Sequence, residues 1–138
     1  MEELTIGEVA QRAGIRSSAI RYYESVELLP APRRINGRRR YDSSVFKRLA
    51  VIQMAQQAGF TVSEMRTLFN GFTAETPASA RWQELARQKL VETDALIRRA
   101  QAMKQILEEK LLRCRCLTLD ECADYIGAQV DKTQNWHL

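Results

Sequence analysis

Thr5-Ile6-Gly7-Glu8-Val9-Ala10-Gln11-Arg12-Ala13-Gly14 leads, through Ile15 and Arg16, into Ser17-Ser18-Ala19-Ile20-Arg21-Tyr22-Tyr23-Glu24 and then to Arg33-Arg34-Ile35-Asn36-Gly37-Arg38-Arg39-Arg40-Tyr41. Thr5-x-x-Glu8 is a capping box, and Leu4 and Val9 stand at the two ends of a hydrophobic staple. A helix is therefore predicted from Ile6 to just before Gly14, which supplies a tight turn. Ser17 or Ser18 can cap a second helix whose Ile20, Tyr23 and Val26 face the first, leaving Arg16, Ser18, Arg21 and Tyr22 outward. Pro30 and Pro32 cannot continue it. Asn36-Gly37 is a strong hairpin signal, flanked here by Arg33, Arg34, Arg38, Arg39 and Arg40. A hairpin this short buries little, so its arginines need an external partner, and nucleic-acid phosphate supplies one. The stretch reads as a winged helix-turn-helix whose second helix enters a major groove.

The bulk properties agree. The chain has 138 residues and a net charge of +4, enough for one compact domain with a long helix appended. Between residues 10 and 48 ten cations face three acids, a bias that suits a polyanion. No apolar run is long enough to span a bilayer and no signal peptide is visible, so a cytoplasmic protein with reduced thiols is expected. No acid–base pair, nucleophile with a spaced histidine, or phosphate loop is present, which argues against an enzyme.

Beyond the hairpin, Asp42 can cap a third helix from Ser43 to Ala58, with Val45, Leu49, Ile52 and Met54 or Ala55 at helical spacing. Gly59 stops it. Thr61-x-x-Glu64 is a second capping box, with Phe60 and Met65 as its staple, opening a fourth helix to Leu68 or Phe69. After a linker at 71–76, Thr76 and Pro77 open a long helix to about Arg113, some 55 Å at about 1.5 Å per residue. Thr93, Leu96, Ala100, Met103, Leu107 and Lys110 form a heptad seam with Leu90, Ile97 and Leu111 beside it, so the helix needs a partner. Trp82 is expected to anchor that interface. The layout is mainly α: 1–70 DNA-binding domain, 71–76 linker, 77–113 dimerisation helix, 114–126 cysteine loop and short helix, 127–138 tail. His137, near the terminus, reads as solvated.

Cys114, Cys116 and Cys122 are the chain's three cysteines and fall within nine residues, which points to a shared role. Thr118-x-x-Glu121 is a third capping box, placing Cys122 in the first turn of a helix through Tyr125, where the positive helix end favours the thiolate. Two or three such thiolates suit a soft ion such as Cu(I), Hg(II) or an arsenical, or form a dithiol redox switch.

The runs Ile6-Gly7-Glu8-Val9-Ala10, Ile20-Arg21-Tyr22-Tyr23-Glu24, Leu28-Leu29-Pro30, Arg34-x-Asn36-Gly37-x-Arg39-x-Tyr41 and Gln56-x-x-Gly59-Phe60 resemble the DNA-binding domain of MerR-family transcription regulators, and the layout extends the likeness to about residue 122. The DNA-contact set is then Thr5, Arg16, Ser18, Arg21, Tyr22, Tyr23, Arg34, Arg38, Arg39 and Arg40. The resemblance implies a homodimer joined by an antiparallel coiled coil on near-palindromic promoter DNA. It also implies activation, in which effector binding deforms the duplex for RNA polymerase, with the third and fourth helices as a hinge. Two positions depart from the family pattern. Glu27 stands where the family has glycine, at a left-handed helix end, so strain is expected there, and Arg38 replaces an aromatic.

The cysteine loop resembles that of the copper-type sensors, which have two cysteines spaced as Cys114 and Cys122 and a serine early in the dimer helix. Ser79 takes that place here, behind the effector ligands. It also resembles the last three cysteines of the SoxR-type run that holds a [2Fe–2S] cluster, but Leu111 stands at the first. Four thiolates are the usual set for that cluster, so ligand count favours a soft ion. The other readings are a SoxR-like or dithiol redox-sensing regulator and a metal-binding buffer protein.

Overall fold

A computed structural model of the chain describes residues 3–129; from residue 130 on, the tail with Trp136 and His137 lies outside them. The elements are α1 (Ile6–Ala13), α2 (Ser17–Ser25), β1 (Arg33–Ile35), β2 (Arg38–Arg40), α3 (Ser44–Gln57), α4 (Val62–Asn70), α5 (Ala78–Ile106), a π-helical stretch (Leu107–Leu111) and α6 (Leu119–Gln129). They divide into two units, one ending at Val91 and the other beginning at Glu92.

In the first unit the capping signals work as predicted. Thr5 Oγ1 accepts from the Glu8 N–H and Glu8 Oε1 accepts from the Thr5 N–H, both at 3.1 Å. Thr61 and Glu64 form the same reciprocal pair at the start of α4. The staple residues Leu4, Val9, Phe60 and Met65 are all buried, and Ile20, Leu28, Leu49 and Ile52 complete the centre of the core. On α3 the inward residue is Ala55, while Met54 is exposed.

Several expectations shift. Neither Ser17 nor Ser18 caps α2; the capping position is Arg16, with no side-chain cap, and the two serines lie inside the first turn. The third helix is Ser44–Gln57 rather than Ser43 to Ala58, because Asp42 Oδ1 accepts the Ser44 N–H at 2.8 Å and leaves Ser43 as the cap. Helix α4 continues past Phe69 to Asn70. Trp82 packs on Phe60 of its own unit, ring centroids 6.0 Å apart, and joins the core there with Leu85.

The 71–76 segment is a tightly bonded loop. Arg81 donates from Nη1 to the Leu68 and Phe69 carbonyls, each at 3.1 Å, from Nε to the Thr76 carbonyl at 3.1 Å, and from Nη2 to the Thr73 carbonyl at 3.2 Å. One guanidinium thereby satisfies free carbonyls at the end of α4 and ties them to the first turns of α5. Gly71 fits the same corner because a Cβ there would sit 2.7 Å from the Thr67 methyl and 2.8 Å from the Thr67 carbonyl oxygen. Lys89 Nζ meets Glu64 Oε1 at 2.7 Å, a second tie between α5 and α4.

In the second unit the long helix differs from the expected 77–113: α-winding ends at Ile106, and Leu107–Leu111 is π-wound, with the Leu112 N–H reaching the Leu107 carbonyl at 2.9 Å. The seam residues Leu96, Met103 and Leu107 are exposed in the single chain. The last helix runs to Gln129, beyond the predicted Tyr125. Among the described residues, no helix is long and apolar enough to cross a membrane.

Candidate nucleic-acid interface and cysteine cluster

The wing is built on the Asn36-Gly37 turn, whose φ angles of 53° and 77° are both positive. A two-residue turn of this kind matches the right-handed twist of the strands it joins. It sets the register Arg33 opposite Arg40, Arg34 opposite Arg39 and Ile35 opposite Arg38. Like charges facing each other across a ladder repel, and each facing arginine pair here has one acid beside it. Glu3 Oε1 accepts from Arg33 at 3.2 Å, and Glu24 Oε2 accepts from Arg39 Nε at 3.1 Å. Tyr41, whose backbone pairs with Leu4, donates its hydroxyl to Glu24 Oε1. Burial, together with the Glu24 carboxylate, pushes the Tyr41 pKa up, so the phenol stays a donor.

Glu24 thus joins α2 to the wing, and the two flank a groove of about 740 Å³ lined by Arg21, Glu24, Arg34 and Arg39. Arg16, Ser18, Arg21 and Tyr22 are exposed on α2, and Arg34 and Arg38 on the hairpin, with Arg39 and Arg40 half-buried. Arg34 Nη1 also donates to the Gly37 carbonyl at 3.1 Å, which steadies the turn. Thr5 serves as the α1 cap. Tyr23 is a core residue, contrary to its place in the contact set: it is buried, and its hydroxyl donates to Gln56 Oε1 at 3.2 Å.

Glu27 has φ 64°, the left-handed backbone foreseen from its position. The carbonyls on either side of it are both held: Arg66 Nε donates to Val26 at 2.8 Å and Arg48 Nε to Leu28 at 2.9 Å. Arg48 lies 3.4 Å over the Phe69 ring, and burial pushes its pKa down. Sequence reasoning missed the roles of Glu24, Arg48, Arg66 and Arg81. Only Glu24 carried a signal, its place in the Ile20–Glu24 motif; the others act across long sequence separations.

In the second unit the three cysteine sulfurs all lie within 4.8 Å of one another, and those of Cys114 and Cys122 are 3.4 Å apart. The third capping box is half formed: Thr118 Oγ1 accepts from the Glu121 N–H at 3.2 Å, while Glu121 Oε2 turns to the Leu117 N–H at 3.0 Å. The thiol whose ionisation the structure favours is Cys114, held below the ordinary thiol range by the Cys116 backbone N–H and then by the Cys116 and Cys122 thiols. The Cys116 pKa is pushed up to about 12 by its side-chain bonds to Cys122 and Cys114. The donor set is sulfur alone, which suits soft ions, and three cysteines fall one short of the usual ligation of a [2Fe–2S] cluster. Ser79 is exposed in the first turn of α5, in the first unit.

Comparison with known proteins bears on both sites. Residues 4–71 match the profile of the MerR HTH family regulatory protein, and residues 46–110 that described as MerR, DNA binding. The chain is 33% identical over 127 residues to the HTH-type transcriptional regulator HmrR of Rhizobium leguminosarum bv. viciae, covering 88% of this chain and 98% of that one. It is 32% identical to the regulator CueR of Yersinia pestis, over 91% of this chain and 85% of that protein. Among solved structures, the regulator PbrR691 from Ralstonia metallidurans CH34, in complex with lead(II), superposes with a TM-score of 0.72 at 26% identity, covering 91% of this chain and 98% of that one.

Proposed function

The chain belongs to the MerR family of helix-turn-helix regulatory proteins, and from that premise we propose that it is a homodimeric regulator, an activator at its promoter, that answers a soft metal ion at Cys114, Cys116 and Cys122. As a member of that family it is a DNA-binding transcription regulator and not an enzyme. The observation that carries the metal reading is the convergence of all three thiols within 4.8 Å in a nine-residue segment, and the similarity to PbrR691, whose structure holds lead(II), supports it.

Arg16, Ser18, Arg21 and Tyr22 would read or grip the duplex, with Arg34, Arg38, Arg39 and Arg40 on flanking phosphates. The exposed seam of α5 supports pairing with a second copy, since an apolar stripe of that length is costly to leave wet. Two reading heads on paired helices suit a near-palindromic site. Occupancy of the cysteines biases the dimer between two states, and the deformation of the bound DNA presents the promoter to RNA polymerase. The protein works in the cytoplasm. A SoxR-like cluster would need a fourth ligand from outside the chain.

The test is a transcription assay on the protein's own upstream region with reduced protein, with and without Cu(I) or Hg(II). The expected result is retardation of the DNA in both states and a change of transcript only with metal. A protein that ignores that region at low salt, or whose transcript level is indifferent to thiol-binding ions, overturns the proposal.

A further inference from the structure

We propose that the cysteine cluster is a three-coordinate site for a trivalent p-block ion, with arsenic(III) as its probe, bound wholly within one protomer; this rests on residues 114–122 being the effector site. Distances separate the possible geometries. With sulfur bonds of about 2.3 Å, two thiolates in line stand about 4.6 Å apart, and three around one pyramidal centre about 3.5–4 Å apart. The sulfurs of Cys114 and Cys122 are 3.4 Å apart, and Cys116 lies within 4.8 Å of both. A linear ion such as Cu(I) would have to spread the Cys114–Cys122 pair by roughly 1.2 Å, and between any two of the three it leaves the third thiol idle. A pyramidal centre uses all three. A tetrahedral ion requires a fourth ligand, and the chain has no fourth cysteine.

The local backbone holds this arrangement without help from elsewhere. The Glu121 to Leu117 and Thr118 to Glu121 bonds, at 3.0 and 3.2 Å, fix the turn that brings Cys122 back over Cys114 and Cys116. Charge points the same way. Three thiolates are neutralised by a trivalent ion, whereas Hg(II) held by all three would leave one negative charge and Cu(I) held by all three would leave two. The reaction needs no oxidant or reductant: As(OH)3 and three thiols give As(SR)3 and three waters, arsenic staying trivalent and each thiol proton leaving with a hydroxide.

The experiment titrates the full-length reduced protein with sodium arsenite and, separately, with Cu(I), counting the thiols that remain reactive to a chromogenic disulfide. The expected result is one arsenite per protomer with three thiols protected. Cys116→Ser then weakens arsenite at least about tenfold while changing Cu(I) affinity by less than about threefold. Protection of two thiols per arsenite, or an unchanged arsenite affinity in Cys116→Ser, overturns the inference. If Cu(I) or Hg(II) protects the thiols and arsenite does not, the three-coordinate inference fails and the effector-site reading stands. If no thiophilic ion protects any of them, both fail.

Discussion

Arg39 of the wing donates from Nε to Glu24 Oε2 of the second helix at 3.1 Å, in a pair whose carboxylate side chain is only 9% exposed. Glu24 also takes the Tyr41 hydroxyl, so one carboxylate sets the angle between the two surfaces proposed to touch DNA. Replacing Glu24 by Ala strands a part-buried guanidinium and removes two bonds, which costs about 2–3 kcal/mol. Urea unfolding should show that loss, and promoter affinity should fall even though the residue itself makes no base contact.

Arg38 stands exposed on the hairpin, directly after the turn and opposite Ile35. Its substitution by Ala should leave the unfolding midpoint within about 0.5 kcal/mol of the parent. Affinity for DNA should weaken for every sequence tested, and the slope of log affinity against log salt should flatten by about 0.9. An unchanged slope would remove Arg38 from the phosphate contacts.

Glu27 holds a left-handed backbone that glycine adopts without steric cost. Glu27→Gly should therefore stabilise the fold by about 0.5–1 kcal/mol, the left-handed penalty less the entropy glycine adds to the unfolded chain. A higher urea midpoint is the readout. A lower midpoint would mean that the Glu27 side chain contributes more than its backbone costs.

The Arg81 guanidinium holds four carbonyls together. Arg81→Met keeps the aliphatic length and loses those bonds, at a cost of about 2–3 kcal/mol. Amide hydrogen exchange should then rise between Gly71 and Ala80 while α1 and α2 keep their protection. Uniform acceleration throughout the first unit would show that the loop is not the element Arg81 holds.

Glu64 gives a pH signature. Desolvation raises its pKa, but the Lys89 ammonium and the bonds to Thr61 outweigh that and hold the carboxyl below its usual value. A carboxylate whose folded pKa lies below its unfolded one adds stability that is present above the unfolded pKa and lost as pH falls through the folded one. Stability should decline on acidification below the ordinary glutamate range, and Glu64→Gln should flatten that decline while lowering stability at neutral pH. Equal acid slopes for the two proteins would assign the effect elsewhere.

The parts of the fold legible in the sequence are those set by near neighbours. Capping boxes at Thr5 and Thr61 and the Asn36-Gly37 turn depend on residues no more than three apart and stand where expected, while the left-handed backbone at Glu27 was foreseen from the family resemblance alone. Features fixed across space left no such trace. Arg48 to Leu28, Arg66 to Val26 and Arg81 to Leu68 join partners from 13 to 40 positions apart, and nothing in a basic residue's immediate surroundings says whether it will meet DNA or a carbonyl. Trp82 is a further case, since an aromatic early in an exposed helix looks alike in sequence whether or not it also packs on its own core, as it does here on Phe60. At the cysteines, clustering was visible, but the Cys116 N–H that lowers the Cys114 pKa was not, because it depends on the fold of the turn.

Leu107–Leu111 winds wide, its hydrogen bond closing over one residue more than those of the helix before it. Everything after that surplus residue is rotated by about 100° from where unbroken winding would have pointed it. The direction in which the chain leaves toward Cys114 is therefore decided upstream of the thiols, by a counting mismatch in a rod of ordinary leucines, glutamates and lysine. Deleting one of those five residues would re-aim the cysteine segment without altering a single thiol.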